Sequence, residues 1–114
     1  MVLIIGGAYQ GKGEFALKLA DGDEDRILFN VHDRIEAGLR AGRAREEIEA
    51  ELLSEISGRE ELILTADEVG CGIVPADAVL RECREVTGRI LCALAGEAGE
   101  VYRMVAGIPV KIKG

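Results

Sequence analysis

Tryptophan is absent from this 114-residue chain, and aromatic residues make up only 4% of it. The core must therefore be aliphatic, built from Val, Ile, Leu and Ala. That suits a parallel sheet covered by helices, whose strands read as continuous aliphatic runs. Cysteine is scarce and odd in number: Cys71, Cys83 and Cys92 form no CxxC, and the one histidine, His32, stands far from them. Such spacing argues against a disulfide framework and against a structural zinc site, so the thiols read as small apolar filler in a reducing compartment. No apolar run approaches the roughly 20 residues of a membrane span. The chain opens directly into Val2-Leu3-Ile4-Ile5 with no basic leader, and a cytoplasmic protein is expected. Positive charge is in deficit, with 14 Lys+Arg against 21 Asp+Glu for a net charge of −7. A chain so acidic is a poor partner for nucleic acid or an anionic membrane, because both are held by Lys and Arg. A small anion remains open to it, since backbone N–H groups and one lysine suffice for a local site.

What is present is apolar: 48% of the residues, enough for a folded core in one domain spanning residues 1–114. Strands are expected at residues 2–5, 27–31, 62–66 and 101–106, with a short edge strand at 109–113 whose lysines alternate. Helical patterning covers residues 14–20, 33–40, 44–57 and 77–95. In the last of these, Val79, Cys83, Val86, Ile90 and Leu94 form the inner face. The acidic run Glu46 to Glu51 reads as a solvated face with Arg43 and Arg45 at its start. Strands alternating with helices imply an open, mostly parallel α/β sheet of about five strands with helices on both faces.

The first turn carries the sharpest signal. Gly6-Gly7-Ala8-Tyr9-Gln10-Gly11-Lys12 fits G-x-x-x-x-G-K between a strand and a helix, the context of a phosphate-binding P-loop. The glycines let the backbone wrap until successive N–H groups face one anion, and the following helix adds its N-terminal partial charge. Lys12 supplies a full charge for the β and γ phosphates of a nucleotide such as ATP or GTP. Gly6 to Gly13 is thus the candidate nucleotide-binding segment. Tyr9 in that turn either stacks on a base or shields the phosphates, or is surface filler. The position after the lysine, where a Ser or Thr hydroxyl would hold Mg²⁺, is Gly13. The second strand ends in Asn30 instead of an Asp. Both usual metal ligands are therefore lacking, and Mg²⁺ is expected to be held mainly by the nucleotide's own phosphates. Asp33, Asp67 and Glu68 stand near strand ends, where α/β sheets place ligands, and are possible substitutes.

Two further runs extend the pattern. Glu68 to Pro75 reads E-V-G-x-G-I-V-P, and residues 101–111 read V-Y-R-M-V-A-G-I-P-V-K. Together with the Gly6 to Lys12 turn they resemble the adenosylcobinamide kinase / adenosylcobinamide-phosphate guanylyltransferase family over residues 1–20 and about 39–113. The resemblance implies a cytosolic P-loop α/β enzyme of cobalamin assembly that associates as a trimer. It further implies phosphorylation of the aminopropanol arm of cobinamide with ATP or GTP, then attachment of GMP through a guanylylated histidine. By motif match, Gly6, Gly11 and Lys12 carry over as phosphate binders, and Glu68 takes a site role as part of its run. Cys71 falls at a variable position of that run and takes none.

The chain departs from the family pattern between its first helix and second strand. The strand and basic helix that bring the guanylylated histidine have no counterpart there, and Asn30 stands where the family has Asp. His32 is the one imidazole available, as nucleophile, as general base or as a hydrogen-bonding residue at a helix start. The catalytic candidates are accordingly Lys12, His32 and Glu68. Two functions follow: a nucleotide-dependent cobinamide kinase or nucleotidyltransferase, and a degenerate nucleotide-binding module that serves a corrinoid enzyme as partner or regulator.

Overall fold

A computed structural model of the chain describes residues 1–68 and 78–114. Residues Val69 to Pro75 of the family run, Cys71 among them, and the helix start expected at Asp77 lie outside the described residues. Five strands form one sheet in the order β2-β3-β1-β4-β5. They are β1 (Val2–Gly6), β2 (Ile27–Leu28), β3 (Ile63–Asp67), β4 (Glu100–Val105) and β5 (Ile108–Lys113). The first four are parallel, and β5 returns antiparallel along the outer edge of β4. Four α-helices join them: α1 (Lys12–Leu19), α2 (Val31–Arg40), α3 (Arg45–Ile56) and α4 (Ala78–Glu97).

Strand alternation divides the core into two layers. Leu3, Leu62, Leu64, Ala66 and Val101 point to one face and pack with Val31, Ile35, Ile48, Leu52, Val86, Ile90 and Leu94 from α2, α3 and α4. Ile4, Ile63, Ile27 and Met104 point to the other and meet Ala16 and Ala20 of α1. Three helices thus cover one face and a single helix the other, which confirms an open α/β sheet with helices on both sides. Cys83 is a buried part of the α4 face, as filler would be.

The strand after α1 is shorter than its apolar run suggests. Ile27-Leu28-Phe29-Asn30-Val31 stops being a strand at Leu28, because Asn30 takes a left-handed conformation at φ 55°. Asn tolerates that region better than most residues. The turn it makes sends Val31 into α2, where it is fully buried. The helix therefore starts two residues before the expected Asp33. β2 does not flank β1: β3 lies between them. The strand flanking β1 on that side ends in Asp67, and Asn30 belongs to the edge.

The face of α3 is not simply solvated. Arg34 of α2 reaches Glu51 and Glu55, and Arg43 reaches Glu47 and Glu51, so the carboxylates tie α3 to α2 and to the turn between them. At the other edge, Lys113 donates to the carbonyls of Ala95 at 2.8 Å and Gly96 at 3.1 Å, two acceptors in the last turn of α4. A cation there satisfies orphan carbonyls and complements the helix dipole.

Candidate functional site

The turn between β1 and α1 lies at the C-terminal end of the central strand, flanked by β3 and β4. Gly6 is required by close approach: a Cβ there would lie 3.1 Å from both the Cβ and the carbonyl oxygen of Met104 on β4. Tyr9 (φ 60°) and Gly11 (φ 81°) are left-handed, which curls the turn back toward the helix N-terminus. Tyr9 is fully exposed despite its aromatic ring. The side chain of Gln10 accepts from the N–H of Gly107 at 3.1 Å, fastening the turn to the β4–β5 hairpin.

Lys12 begins α1 and is 6% exposed. Its Nζ donates to the carbonyl of Gly7 at 2.6 Å and lies 2.7 Å from Oδ1 of Asp67. Asp67 pairs in register with Gly6 on β1, so the sheet itself brings this carboxylate to the turn. A buried ammonium without a counter-charge would be costly, and Asp67 supplies that charge.

His32 sits in the first turn of α2 and faces the same carboxylate. The backbone N–H of Asp67 donates to its Nδ1 at 2.9 Å. Its Nε2 lies 3.4 Å from Oδ2 of Asp67 and 3.3 Å from Oδ1 of Asp33. With Nδ1 acting as acceptor, the ring proton belongs on Nε2, toward the two carboxylates. Behind this group the hydroxyl of buried Thr65 accepts from the N–H of Asn30 at 2.9 Å and fixes the left-handed turn. A hollow of about 470 Å³ runs along these groups, from Ala8 through Lys12 and Gly13 to His32 and Asp67. Lys12, His32 and the turn residues from Ala8 to Gly13 thus line one hollow.

Glu68 is not part of that hollow. It follows the last residue of β3, and its carboxylate pairs with Arg103 of β4, Nε to Oε1 and Nη2 to Oε2 both at 3.1 Å. This pair borders a separate concavity of about 260 Å³ with Gly7, Gln10 and Met104. Arg103 was not legible as a partner of Glu68, because only the strand order places β4 close to the end of β3. Asp67 as partner of Lys12 had a signal in the sequence. It ends an aliphatic run just as Gly6 ends the first. Among the described residues, no three of His, Cys, Asp or Glu converge as a group able to hold a metal ion.

An open, mostly parallel α/β sheet with a glycine-rich turn and a buried lysine at the end of its central strand places the chain among P-loop-like α/β proteins. Residues 30–112 match the profile of the cobinamide kinase / cobinamide phosphate guanyltransferase family, and the chain belongs to that family. The matched region begins after the glycine turn, so the family assignment and the turn are separate observations. Two similar proteins are the bifunctional adenosylcobalamin biosynthesis proteins CobU of Escherichia coli strain K12 and of Salmonella typhimurium strain LT2. Each is 45% identical over 53 residues, which is 46% of this chain and 29% of the relative. The alignment thus spans under a third of the length of these curated relatives. No helix among the described residues is long and apolar enough to cross a membrane.

Proposed function

We propose that the chain binds the phosphates of ATP or GTP on the turn from Gly6 to Gly13 and takes part in phosphoryl transfer to the aminopropanol hydroxyl of cobinamide. The observation that carries this reading is the buried Lys12 ammonium. It is held between the turn carbonyl of Gly7 and Asp67 at one end of an open hollow. Phosphate oxygens entering the turn compete with Gly7 and Asp67 for Lys12, and the backbone N–H groups at the start of α1 add their partial charge. In transfer, Lys12 stabilises the charge on the moving phosphoryl group. Asp67, released from Lys12, would be the carboxylate available to a water of Mg²⁺ or to the attacking hydroxyl. Mg²⁺ would be held mainly through the nucleotide's phosphates, since Gly13 offers no side-chain oxygen and this ion keeps several waters.

His32 takes a positioning role in this proposal. Its Nδ1 lone pair is engaged by the N–H of Asp67 and its Nε2 faces carboxylates, so it orients Asp67 and is poorly placed for attack on GTP. Glu68 is assigned to the neighbouring concavity with Arg103, where the corrinoid acceptor would approach. A homo-oligomer, a trimer by family resemblance, is supported by the exposed side chains of Val105, Ile108, Val110 and Ile112 on the β4–β5 hairpin.

Calorimetric titration tests the binding step. Lys12→Ala should weaken ATP and GTP by about 1.5–3 kcal/mol, the range for hydrogen bonds to charged groups, and equal affinities in both proteins would overturn it. A non-catalytic nucleotide-binding module is the second reading, favoured by the glycine at position 13. It stands if nucleotide binds and cobinamide is not turned over.

A further inference from the structure

Among the described residues, four that are not glycine hold a positive φ: Tyr9 (60°), Asp21 (51°), Asn30 (55°) and Ala106 (49°). Asp and Asn enter that region readily, because their short polar side chains bond locally, whereas Tyr and Ala do not. The two unfavourable cases are joined. Tyr9 precedes Gln10 in the phosphate turn, Ala106 precedes Gly107 in the β4–β5 hairpin, and the side chain of Gln10 accepts from the N–H of Gly107 at 3.1 Å. One hydrogen bond thus ties two strained turns that lie far apart in the chain.

The hairpin leaves that N–H free for the purpose. Val105 pairs with Ile108, so Ala106 and Gly107 form a two-residue turn with both φ positive. The bond that closes such a turn runs between the flanking residues, and the N–H of Gly107 takes no part in it. Met104 of the same hairpin supports the phosphate turn from below. Its Cβ lies 3.1 Å from where a Cβ of Gly6 would stand, and its Cε 3.9 Å from that of Gly11. Both ends of the turn therefore rest on one buried side chain. Tyr9 lies between those ends with its ring wholly in solvent, so packing does not hold its backbone. A strained residue persists only where its surroundings over-determine it, and the bond made by the next residue is the nearest tie.

We infer that Gln10 is a positioning residue: its carboxamide straps the phosphate turn to the hairpin and keeps Tyr9 left-handed, the form in which the turn receives an anion. The inference rests on the phosphate-binding reading above and adds to it the group that presets the turn. Gln10 need not touch the anion. A turn only partly in its receiving form binds more weakly by the fraction so formed, and the strap raises that fraction. Linkage makes the effect mutual, so an anion in the turn tightens the strap in return.

The test uses inorganic triphosphate, which has no base for Tyr9 to touch. Gln10→Met keeps the length of the side chain and replaces the carboxamide by an apolar group. It should weaken triphosphate about fivefold in calorimetric titration, the size of one net hydrogen bond. Amide exchange of Gly107, read by NMR, should slow in the wild type when triphosphate is added. In Gln10→Met it should be faster from the outset and should not respond. Tyr9→Gly in the Gln10→Met background should recover most of the lost affinity, because glycine takes a positive φ without strain. That rescue and the exchange response separate a strap from a residue that merely supports the fold. If Gln10→Met binds triphosphate as the wild type does, or if Gly107 exchange is indifferent to triphosphate, the strap is wrong and the phosphate site stands. A double variant no tighter than Gln10→Met overturns the hold on Tyr9. If the wild type itself binds no triphosphate, the phosphate-binding reading falls and the strap with it.

Discussion

The backbone N–H of Asp67 donates to Nδ1 of His32 at 2.9 Å, while the carboxylate of the same aspartate faces Nε2 of the same ring at 3.4 Å. One residue thus sets both the tautomer and the orientation of the chain's single imidazole. The Nε2–H tautomer is expected, and nitrogen chemical shifts of the ring will read it directly. Incubation with radiolabelled GTP should leave no acid-labile, base-stable label on His32. Label that disappears in His32→Ala would show that the ring leaves Asp67 and acts as nucleophile.

The metal dependence of nucleotide binding should be weak in the wild type, since Gly13 contributes no oxygen. A Cβ at position 13 would lie 3.7 Å from the nearest ring carbon of Phe29, an ordinary contact, so a serine fits. Gly13→Ser should strengthen Mg²⁺-dependent binding of GTP more than binding in EDTA. Because Asp67, and not Asn30, ends the strand beside β1, Asp67→Asn in the Gly13→Ser background should erase that gain. Asn30→Asp should add little. A wild type already strongly dependent on Mg²⁺ would mean that Asp67 or Asp33 has taken over the ligand role.

Gly6→Ala should destabilise the fold by about 1–3 kcal/mol, the cost of forcing a methyl group into a packed contact. Two of the atoms it would meet, the Cβ and carbonyl oxygen of Met104, belong to the neighbouring strand and cannot swing aside. Urea unfolding will measure the loss. Gly22→Ala is a useful contrast, because a Cβ there meets nothing within 4 Å and only its φ of 82° opposes the change.

Acid should loosen the contact between α2 and α3. Hydrogen bonds from Arg43, then its charge, hold the Glu51 carboxyl below its ordinary value of 4.5. A carboxyl lowered in the folded state contributes stability that is present above 4.5 and is lost as pH falls through the lowered value. The pair is exposed, so the effect should be smaller than that of Gly6→Ala and should shrink in high salt. Melting temperatures of wild type and Glu51→Gln, compared at pH 6 and pH 3, will show it. The gap between the two proteins should narrow at the lower pH.

Local sequence was enough to determine much of this protein. Aliphatic runs marked β1 and, broken only by Thr65, β3, because strands buried on both faces need apolar residues at nearly every position. The spacing of Gly6, Gly11 and Lys12 marked the turn, because glycine alone relieves the backbone where it wraps and closes on a neighbouring strand. Tertiary structure decided what surrounds that turn. Whether Asn30 or Asp67 stands beside Lys12 depends on strand order, a property of how helices pack over the sheet, and no residue near position 30 encodes it. The end of β3 then sends Asp67 to Lys12 and the next residue, Glu68, to Arg103, so neighbours in sequence became members of different sites. The left-handed turn at Asn30, closed by the hydroxyl of Thr65 from 35 residues away, likewise sets His32 in the first turn of α2. Only the folded sheet brings that hydroxyl within reach.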